Sequence, residues 1–210
     1  MNRVELINKL IQKHNYQRYL EIGVDNGWCF NQIQCAHKDG VDPGSDDNAT
    51  SHGGNNSFKV EVTYPITSDN FFKKYAPSLE KYDIIFIDGL HHSDQVDKDI
   101  QNSLKYLNKE GSIILHDCNP LSKESQIVPR IQSYWHGDVW KSIVKFRNNF
   151  DIGCITINTD CGLGVINSNL PKGPTFKFPN KLTYEWLEQN RTEALHLVNI
   201  EVGKYLLNVI

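Results

Sequence analysis

The sequence has few cysteines, and their spacing excludes the common structural uses of this residue. The five cysteines include no CxxC pair, and their odd number argues against a disulfide framework or a structural zinc site. The chain has no apolar run near the roughly 18 residues of a membrane span. Its first ten residues also lack the apolar stretch of a signal peptide. We therefore expect a cytoplasmic protein without a membrane partner.

An excess of positive charge is also missing. The 22 Lys and Arg residues are outnumbered by 25 Asp and Glu residues, which gives a net charge of −3. Proteins that bind duplex nucleic acid usually carry a basic face, so we exclude nucleic acid as a partner. Two nucleotide-binding motifs, GxGxxG and GxxxxGK followed by Ser or Thr, do not occur either.

The patterns that are present indicate a globular α/β protein. A chain of 210 residues with 39% hydrophobic residues can bury one layered core. Helical and extended patterns alternate along it, which predicts a doubly wound, Rossmann-like, mostly parallel sheet with helices on both faces and a terminal antiparallel hairpin. We place this domain at residues 1–168, with a C-terminal helical extension, 169–210, packed on it.

The individual elements follow from apolar periodicity, caps and turn residues. Predicted strands cover residues 19–24, 41–42, 58–62, 83–88, 112–116, 152–158 and 162–167. Two helices are predicted to begin at the caps Asn2 and Ser93. Further helices are predicted at 28–37, 69–76, 127–135 and 138–147, and a last one from about residue 183. Residues 109–111 are predicted to turn the chain into the strand at 112. The polar stretch 43–57 is too long for a simple connection, and we expect it to order over a bound ligand.

Ligands of such sheets bind outside the carboxyl ends of the strands, so the residues there are the candidate site. The first end carries Glu21, Gly23, Asp25 and Gly27, where glycines let a ligand approach the backbone and the N–H groups of a following helix. The second end carries Asp42, placed 21 residues after Glu21, where a carboxylate can hold a ribose diol. The alternatives are a structural glycine turn and a surface turn acid.

The fourth and fifth ends carry the densest chemistry. Asp88 and His91 follow one apolar strand, and His116 and Asp117 follow the next. These groups can hold a divalent metal or provide a general base. The alternative is that His92 is solvated, that His116 is a hydrogen-bonded structural histidine, and that the two acids cap turns.

Four segments resemble a known family. YLEIGVDNG, the VDP after the second strand, YDIIFIDGLHHSDQVDKDI and EGSIILHDCNP together resemble class I S-adenosylmethionine-dependent methyltransferases, most of all a small bacterial branch associated with sugar and polysaccharide modification. The resemblance covers about residues 17–168, including TDCGLGVI in the hairpin. It implies a seven-stranded sheet and methyl transfer to a hydroxyl of a small molecule or sugar.

The resemblance implies a role for each strand end. The methionine part of the cofactor would lie against Glu21, Gly23 and Gly27, the ribose on Asp42, and the adenine between Ser68 and Asp69. Asp25 and Asp88 are expected to contact the cofactor as well. From the residues alone, Thr67, Ser68 and Asp69 are expected first to cap the next helix, a role that is compatible with ligand contact.

The resemblance also implies a metal and a base. In metal-dependent relatives, acids at the positions of Asp88 and Asp117 bind Mg²⁺, but the remaining position here is His116 or Cys118, which is softer than Mg²⁺ prefers. Mg²⁺ or another divalent metal is therefore an additional expectation. The relatives place their base two or three residues after the first Asp, which makes His91 the base, with Asp88 orienting it; His116 is the other candidate.

Two other functions remain open from the residues alone. A nicotinamide-dependent oxidoreductase would share the fold, although the missing GxGxxG argues against it. A non-catalytic nucleotide-binding module would also share it, although the strand-end acids are all present. A homodimer is compatible with the sequence, and Trp135, Trp140 and Trp186 are expected in either an acceptor pocket or the core.

Overall fold

Seven strands form one sheet in the part of the chain that the structure, a computed structural model, describes: residues 1–44, 61–173 and 177–209. The strands are β1 (Arg18–Ile22), β2 (His37–Val41), β3 (Tyr82–Ile87), β4 (Leu107–Leu115), β5 (Gly153–Ile157), β6 (Leu163–Asn167) and β7 (Leu197–Val198). Their order is β2-β1-β3-β4-β6-β5-β7. Neighbouring strands are parallel except at β6, which is antiparallel to β4 and β5. The predicted mostly parallel sheet with an antiparallel hairpin is confirmed.

Six helices cover the two faces of this sheet among the described residues: α1 (Arg3–His14), α2 (Ser68–Lys74), α3 (Ser93–Tyr106), α4 (Trp140–Asn149), α5 (Tyr184–Leu195) and α6 (Ile200–Leu206). The start of α1 is the predicted one, because Asn2 accepts the N–H of Glu5 and Glu5 accepts the N–H of Asn2. None of the described helices is long and apolar enough to cross a membrane.

The apolar strand β3 divides its side chains between two cores. Ile85 and Ile87 pack with α2, α3, α4 and α5 on one face. Ile84 and Phe86 pack with α1 on the other. Burial on both faces is what a central parallel strand requires, and it places the end of β3 in the middle of the sheet edge.

The predicted helix at 28–37 is wrong. This segment contains only a single 3₁₀ turn, Phe30–Gln32, before β2 begins. The side chain of Asn8 explains the difference, since it donates to the carbonyl of Gln32 at 2.9 Å and accepts the N–H of Gln34 at 2.8 Å. These bonds to α1 take backbone groups that a continuous helix would use.

The predicted helix at 127–135 is also wrong. A 3₁₀ turn, Glu124–Gln126, is followed by a non-helical segment that reaches α4. Pro129 has no N–H to donate, and side chains occupy nearby carbonyls: Trp135 Nε1 donates to Ile127 at 2.6 Å, and Arg130 Nε to Gln132 at 2.8 Å. We call residues 122–139 the 122–139 loop.

Two details around α3 differ from the prediction. Ser93 is the first helical residue and not the cap; its N–H and hydroxyl instead donate to Asp138 at 2.6 and 3.1 Å. The expected turn at 109–111 is an irregularity within β4, where pairing shifts between Tyr82 and Ile84. A side chain at Gly111 would lie 2.7 Å from the carbonyl oxygen of Asp83, so glycine is required there.

Two other sequence predictions fall partly outside the described residues. Of the predicted strand 58–62, residues 61 and 62 are described and lie in no strand, and Tyr64 forms one isolated bridge to Val41. Of the polar stretch 43–57, only residues 43 and 44 are described. Beyond residue 168, α5 joins the core and β7 pairs with β5, while the division of the chain at residue 168 stays a prediction.

Candidate active site

A cavity of about 830 Å³ lies at the carboxyl ends of β1, β2, β3 and β4. This volume lies within the usual range for a small-molecule site. The cavity is lined by nearly all residues predicted for the site: Glu21, Gly23, Asp25, Asp42, Ser68, Asp69, Asp88, His91, His116 and Asp117. Gly27 is the exception. Its φ of +76° and its N–H bond to the Val24 carbonyl shape the turn behind the lining.

The glycine at the end of β1 is required by close packing. Gly23 has a φ of +88°, and a Cβ atom there would lie 2.3 Å from the carbonyl oxygen of Asp88. Its N–H donates to the Val41 carbonyl at 2.9 Å. The ends of β1, β2 and β3 therefore meet at Gly23. Because Gly23 has no side chain, its backbone forms the floor of the cavity. The sequence analysis expected the N–H groups of a helix after β1 to face the ligand. No α-helix follows β1 directly, so these N–H groups are not part of the turn.

Asp42 lies half-buried at the cavity rim, where backbone groups fix its carboxylate. Oδ2 accepts the N–H of Asp25 and Oδ1 accepts the N–H of Gly44, both at 2.8 Å. An ionised carboxylate has about four lone-pair positions, so both oxygens can still accept a bond from a ligand. Asp25, with a φ of +47°, also lines the cavity.

Glu21 is buried in the wall of the cavity beneath Gly23. Burial raises the pKa of Glu21 to about 8, against the opposing effect of the hydroxyl that Tyr19 donates to it. Glu21 therefore holds its proton at pH 7, and a positive group placed beside it would favour release of that proton.

At the other end of the cavity, two side chains of α3, Gln95 and Asp99, lie at the start of α2. The sequence analysis did not identify them. Gln95 Nε2 donates to Ser68 Oγ at 3.2 Å, to Asp69 at 3.1 Å and to Asp99 at 3.1 Å. Burial raises the pKa of Asp99 to about 6. Thr67, and not Ser68 or Asp69, caps α2, which leaves these two residues to face the cavity with Gln95 and Asp99.

The ends of β3 and β4 bring two carboxylates and two imidazoles together. His91 Nε2 lies 3.2 Å from Asp88 Oδ1, and its Nδ1 lies 3.2 Å from Asp117 Oδ2 without hydrogen-bond geometry. His116 Nδ1 lies 3.3 Å from both Asp88 Oδ1 and Asp117 Oδ1. The predicted convergence of the DGLHH and HDC segments is therefore present.

Arg3 and Asp160 complete this cluster, and the sequence analysis missed both. Arg3 Nη1 lies 2.9 Å from His116 Nε2 and 3.0 Å from Asp160 Oδ1, and its guanidinium stacks over Trp28 at 4.9 Å. The backbone N–H of Arg3 also donates to Asp160 at 2.7 Å. The start of α1 is thereby fixed to the β5–β6 turn.

The cluster holds its charges by mutual pairing. Burial alone would lower the pKa of His116 and of His91, but Asp88 and the other nearby carboxylates raise the pKa of His91 above the usual histidine value and that of His116 well above it. Burial would likewise raise the pKa of Asp88, but the two imidazoles lower it well below its usual value. The cluster thus places Arg3, His91 and His116 against the carboxyl groups of Asp88, Asp117 and Asp160.

Comparison with known proteins identifies the fold of this chain. Residues 20–118 match the family model described as a methyltransferase domain. The O-methyltransferase TomG from Streptomyces achromogenes, solved with SAM, has a similar structure, with 14% identity, a TM-score of 0.55 and 79% coverage of both chains. This is a methyltransferase fold. The match of residues 20–118 to a methyltransferase domain supports the predicted methyltransferase activity, and the similar structures show the same fold.

Two further solved structures are similar to this chain. An O-methyltransferase from Bacillus cereus, solved with SAH, has 14% identity and a TM-score of 0.53 over 79% of this chain and 80% of that one. The SAH-bound methyltransferase PaMTH1 from Podospora anserina has 14% identity and a TM-score of 0.52 over 79% and 77%. No curated protein sequence matches the chain.

The cavity offers poor ligands for Mg²⁺. Among the described residues, two groups have ligand atoms close enough to share an ion. One consists of Asp88, His91 and Asp117, and the other of His116, Asp117 and the thiol of Cys161. Mg²⁺ prefers six oxygen ligands, whereas these sets mix oxygen with nitrogen and sulfur. His116 also stands where a third oxygen ligand was expected. The residues present therefore do not fit Mg²⁺, and a site for another divalent metal stays a prediction.

The 122–139 loop brings one further histidine and one tryptophan to the cavity. His136, which the sequence analysis missed, is only 1% exposed and lines the cavity. Trp135 stacks on His91 with ring centroids 5.3 Å apart, whereas Trp140 and Trp186 pack in the core. No periodic or charge pattern in the sequence marks His136, because its place depends on how an irregular loop folds back.

Proposed function

We propose that this protein is an S-adenosylmethionine-dependent O-methyltransferase that methylates a hydroxyl group of a small molecule or sugar. The observation that carries this proposal is the cavity in which a bare glycine turn, a rim carboxylate and a cluster of imidazoles occupy adjacent strand ends. The methyltransferase domain match and the fold support it. A cytoplasmic location and an acceptor related to polysaccharide modification are the finer parts of the proposal.

The cavity residues fit the parts of this cofactor. The floor at Gly23 has no room for a side chain and so admits a ligand close to the backbone. Asp42 presents a carboxylate fixed by two backbone N–H groups to the ribose hydroxyls. Glu21 and Asp88 face the amino group of the methionine part, and Ser68 and Asp69 face the adenine.

The bound cofactor supplies a sulfonium methyl group, which an acceptor oxygen takes by in-line displacement. The protein's tasks are to align the acceptor and to remove its proton. An imidazole at the ends of β3 and β4 can remove the proton. The sequence analysis assigns this role to His91, with Asp88 and His116 beside it. Trp135, stacked on His91, offers a flat apolar surface for the acceptor.

Removing the Asp42 carboxylate should weaken cofactor binding. We expect Asp42→Ala to raise the Kd for S-adenosylhomocysteine at least tenfold, because charge-assisted hydrogen bonds contribute about 1.5–3 kcal/mol each. Isothermal titration calorimetry measures this change. Asp151→Ala is the matched control, because the Asp151 side chain is 89% exposed and lies outside the cavity. Equal affinity of a folded Asp42→Ala protein and wild type would remove Asp42 from the site.

Cofactor binding should release a proton from Glu21. The pKa of Glu21 is raised to about 8, so the residue is mostly protonated at pH 7, and the cofactor's ammonium group favours the ionised form. We expect the calorimetric binding enthalpy at pH 7 to vary with the ionisation enthalpy of the buffer. Glu21→Gln should abolish this variation, and Glu80→Gln, whose side chain is 84% exposed, should keep it. A buffer-independent enthalpy for wild type would contradict the placement of the ammonium group.

A further inference from the structure

His136 is a buried histidine whose ring has no hydrogen-bond partner among the described residues. Neither Nδ1 nor Nε2 makes a hydrogen bond, although the residue is only 1% exposed. The nearest carboxylate oxygen, Asp117 Oδ1, is 3.9 Å from Nε2. An unpaired buried polar group costs about 1–3 kcal/mol, and native proteins seldom leave one without a reason. Because His136 lines the cavity, a ligand there can supply the missing partner.

The other two histidines of the cavity differ from His136, because each of their ring nitrogens lies next to a charged side chain. Both ring nitrogens of His91 lie 3.2 Å from a carboxylate oxygen, of Asp88 and of Asp117. His116 faces the same two carboxylates through Nδ1, and Arg3 at 2.9 Å through Nε2. An acceptor hydroxyl could reach either ring only by displacing a charged partner.

The 122–139 loop holds His136 in a defined position. Its N–H donates to the Ser125 carbonyl at 2.7 Å, and the next residue but one, Asp138, donates its N–H to the His91 carbonyl at 3.1 Å. Between them, Gly137 has a φ of +63°, and a Cβ there would lie 1.9 Å from the His91 oxygen. The Tyr134 ring packs edge-on against the imidazole at 4.7 Å. A fixed ring is what proton transfer in a defined geometry requires.

We propose that His136, and not His91, takes the proton from the acceptor hydroxyl, an inference that rests on the proposed O-methyltransferase function. The acceptor oxygen forms a bond to the methyl carbon while the carbon–sulfur bond breaks and its electron pair stays on sulfur. The hydroxyl proton passes to a ring nitrogen of His136. The positive charge lost from the sulfonium group therefore reappears on the imidazole, and the charge of the site is unchanged.

The charged neighbours of His136 keep it neutral before the reaction. Burial lowers its pKa, Asp117 at the end of β4 raises it, and the positive His116 and His91 lower it again, so the pKa lies below the usual histidine value. Tyr134 is the titratable group that faces it from its own loop. His91 is in the opposite situation, because the carboxylates beside it raise its pKa. A base must be unprotonated to accept a proton, which His136 satisfies at pH 7.

A nuclear magnetic resonance experiment tests this without an acceptor. Two-bond proton–nitrogen spectra of the ring nitrogens would be recorded at pH 7.5 with S-adenosylhomocysteine bound, and assigned with His136→Gln and His91→Gln. We expect one unprotonated ring nitrogen on His136. A His136 ring protonated on both nitrogens would overturn the proposal. Failure of S-adenosylhomocysteine to bind at all would instead refute the proposed function.

Kinetics give the second test, with catechol and methyl α-glucoside as probe acceptors and radiolabelled S-adenosylmethionine as donor. His136→Gln should lower kcat about 10²–10⁴-fold while the Kd for S-adenosylhomocysteine changes less than twofold. His37→Gln, an exposed histidine at the start of β2, is the matched control and should keep full turnover. The wild-type rate should fall in acid with a midpoint below about 6.5, and His91→Gln should retain that limb. Full turnover of His136→Gln would return the role of base to His91. So would a wild-type midpoint above about 6.5 together with loss of the acid limb in His91→Gln.

Discussion

Asp88→Asn should lower the free energy of unfolding by about 3–5 kcal/mol, the usual effect of removing one partner from a buried ion pair. The substitution leaves His91 and His116 without the carboxylate that both of them contact, and Arg3 loses a negative neighbour 4.0 Å away. The Asp88 side chain is only 19% exposed, so water cannot replace the lost charge. Urea denaturation at pH 5.5 measures the change.

The choice of pH follows from the direction of the pKa shifts. The lowered pKa of Asp88 stabilises the fold above its unfolded pKa, about 3.9, and this contribution is lost as pH falls through the folded value. The raised pKa of His116 stabilises the fold below its unfolded pKa, about 6.5, and this contribution is lost as pH rises through the folded value. Both contributions are therefore present at pH 5.5.

A surface ion pair provides the control for Asp88→Asn. Asp97 pairs with Lys145 at 2.7 Å outside the cavity, and both side chains are a quarter or more exposed. Asp97→Asn should therefore change the free energy of unfolding by at most about 1 kcal/mol. A loss from Asp88→Asn no larger than that of the control would show that the strand-end cluster does not stabilise the fold.

Gly23→Ala should destabilise the protein by more than about 3 kcal/mol and remove cofactor binding. An added methyl group would lie 2.3 Å from the Asp88 carbonyl oxygen and 2.5 Å from the Gly89 Cα. Both are backbone atoms at the end of β3, so relief of the clash requires the ends of β1 and β3 to separate. Thermal unfolding and calorimetry with S-adenosylhomocysteine measure the two effects.

Gly44→Ala separates the clash from backbone strain. Gly44 has a φ of +78°, but no atom of the described residues lies within 4 Å of an added Cβ, so we expect this variant to show only the conformational cost, about 1–2 kcal/mol. If Gly23→Ala were no worse than Gly44→Ala, the close approach of β1 to β3 would not be needed for the fold or for the site.

Local patterns were enough to predict much of the fold. The apolar run of β3 predicted a strand buried on both faces, and Asn2 predicted the start of α1, because these signals lie within a few consecutive residues. The acids that end β1, β2, β3 and β4 were predicted for the same reason, since the carboxyl ends of parallel strands meet at one edge of a sheet.

Contacts between distant residues explain the parts that the sequence did not predict. The helix expected at 28–37 is absent because Asn8, on another helix, bonds its backbone. Arg3 enters the site because its N–H and guanidinium bind Asp160, which is 157 positions away. His136 enters it because the 122–139 loop folds against the carbonyl of His91. None of these pairings has a periodic signal in the sequence.

Calorimetric titration of the wild-type protein with S-adenosylhomocysteine and, separately, with NADH tests the central claim most directly. The claim is that the cavity at the strand ends is a site for S-adenosylmethionine. We predict saturable binding of one S-adenosylhomocysteine per chain and no binding of NADH. Binding of NADH without binding of S-adenosylhomocysteine would contradict the claim and favour a nicotinamide-dependent oxidoreductase on the same fold.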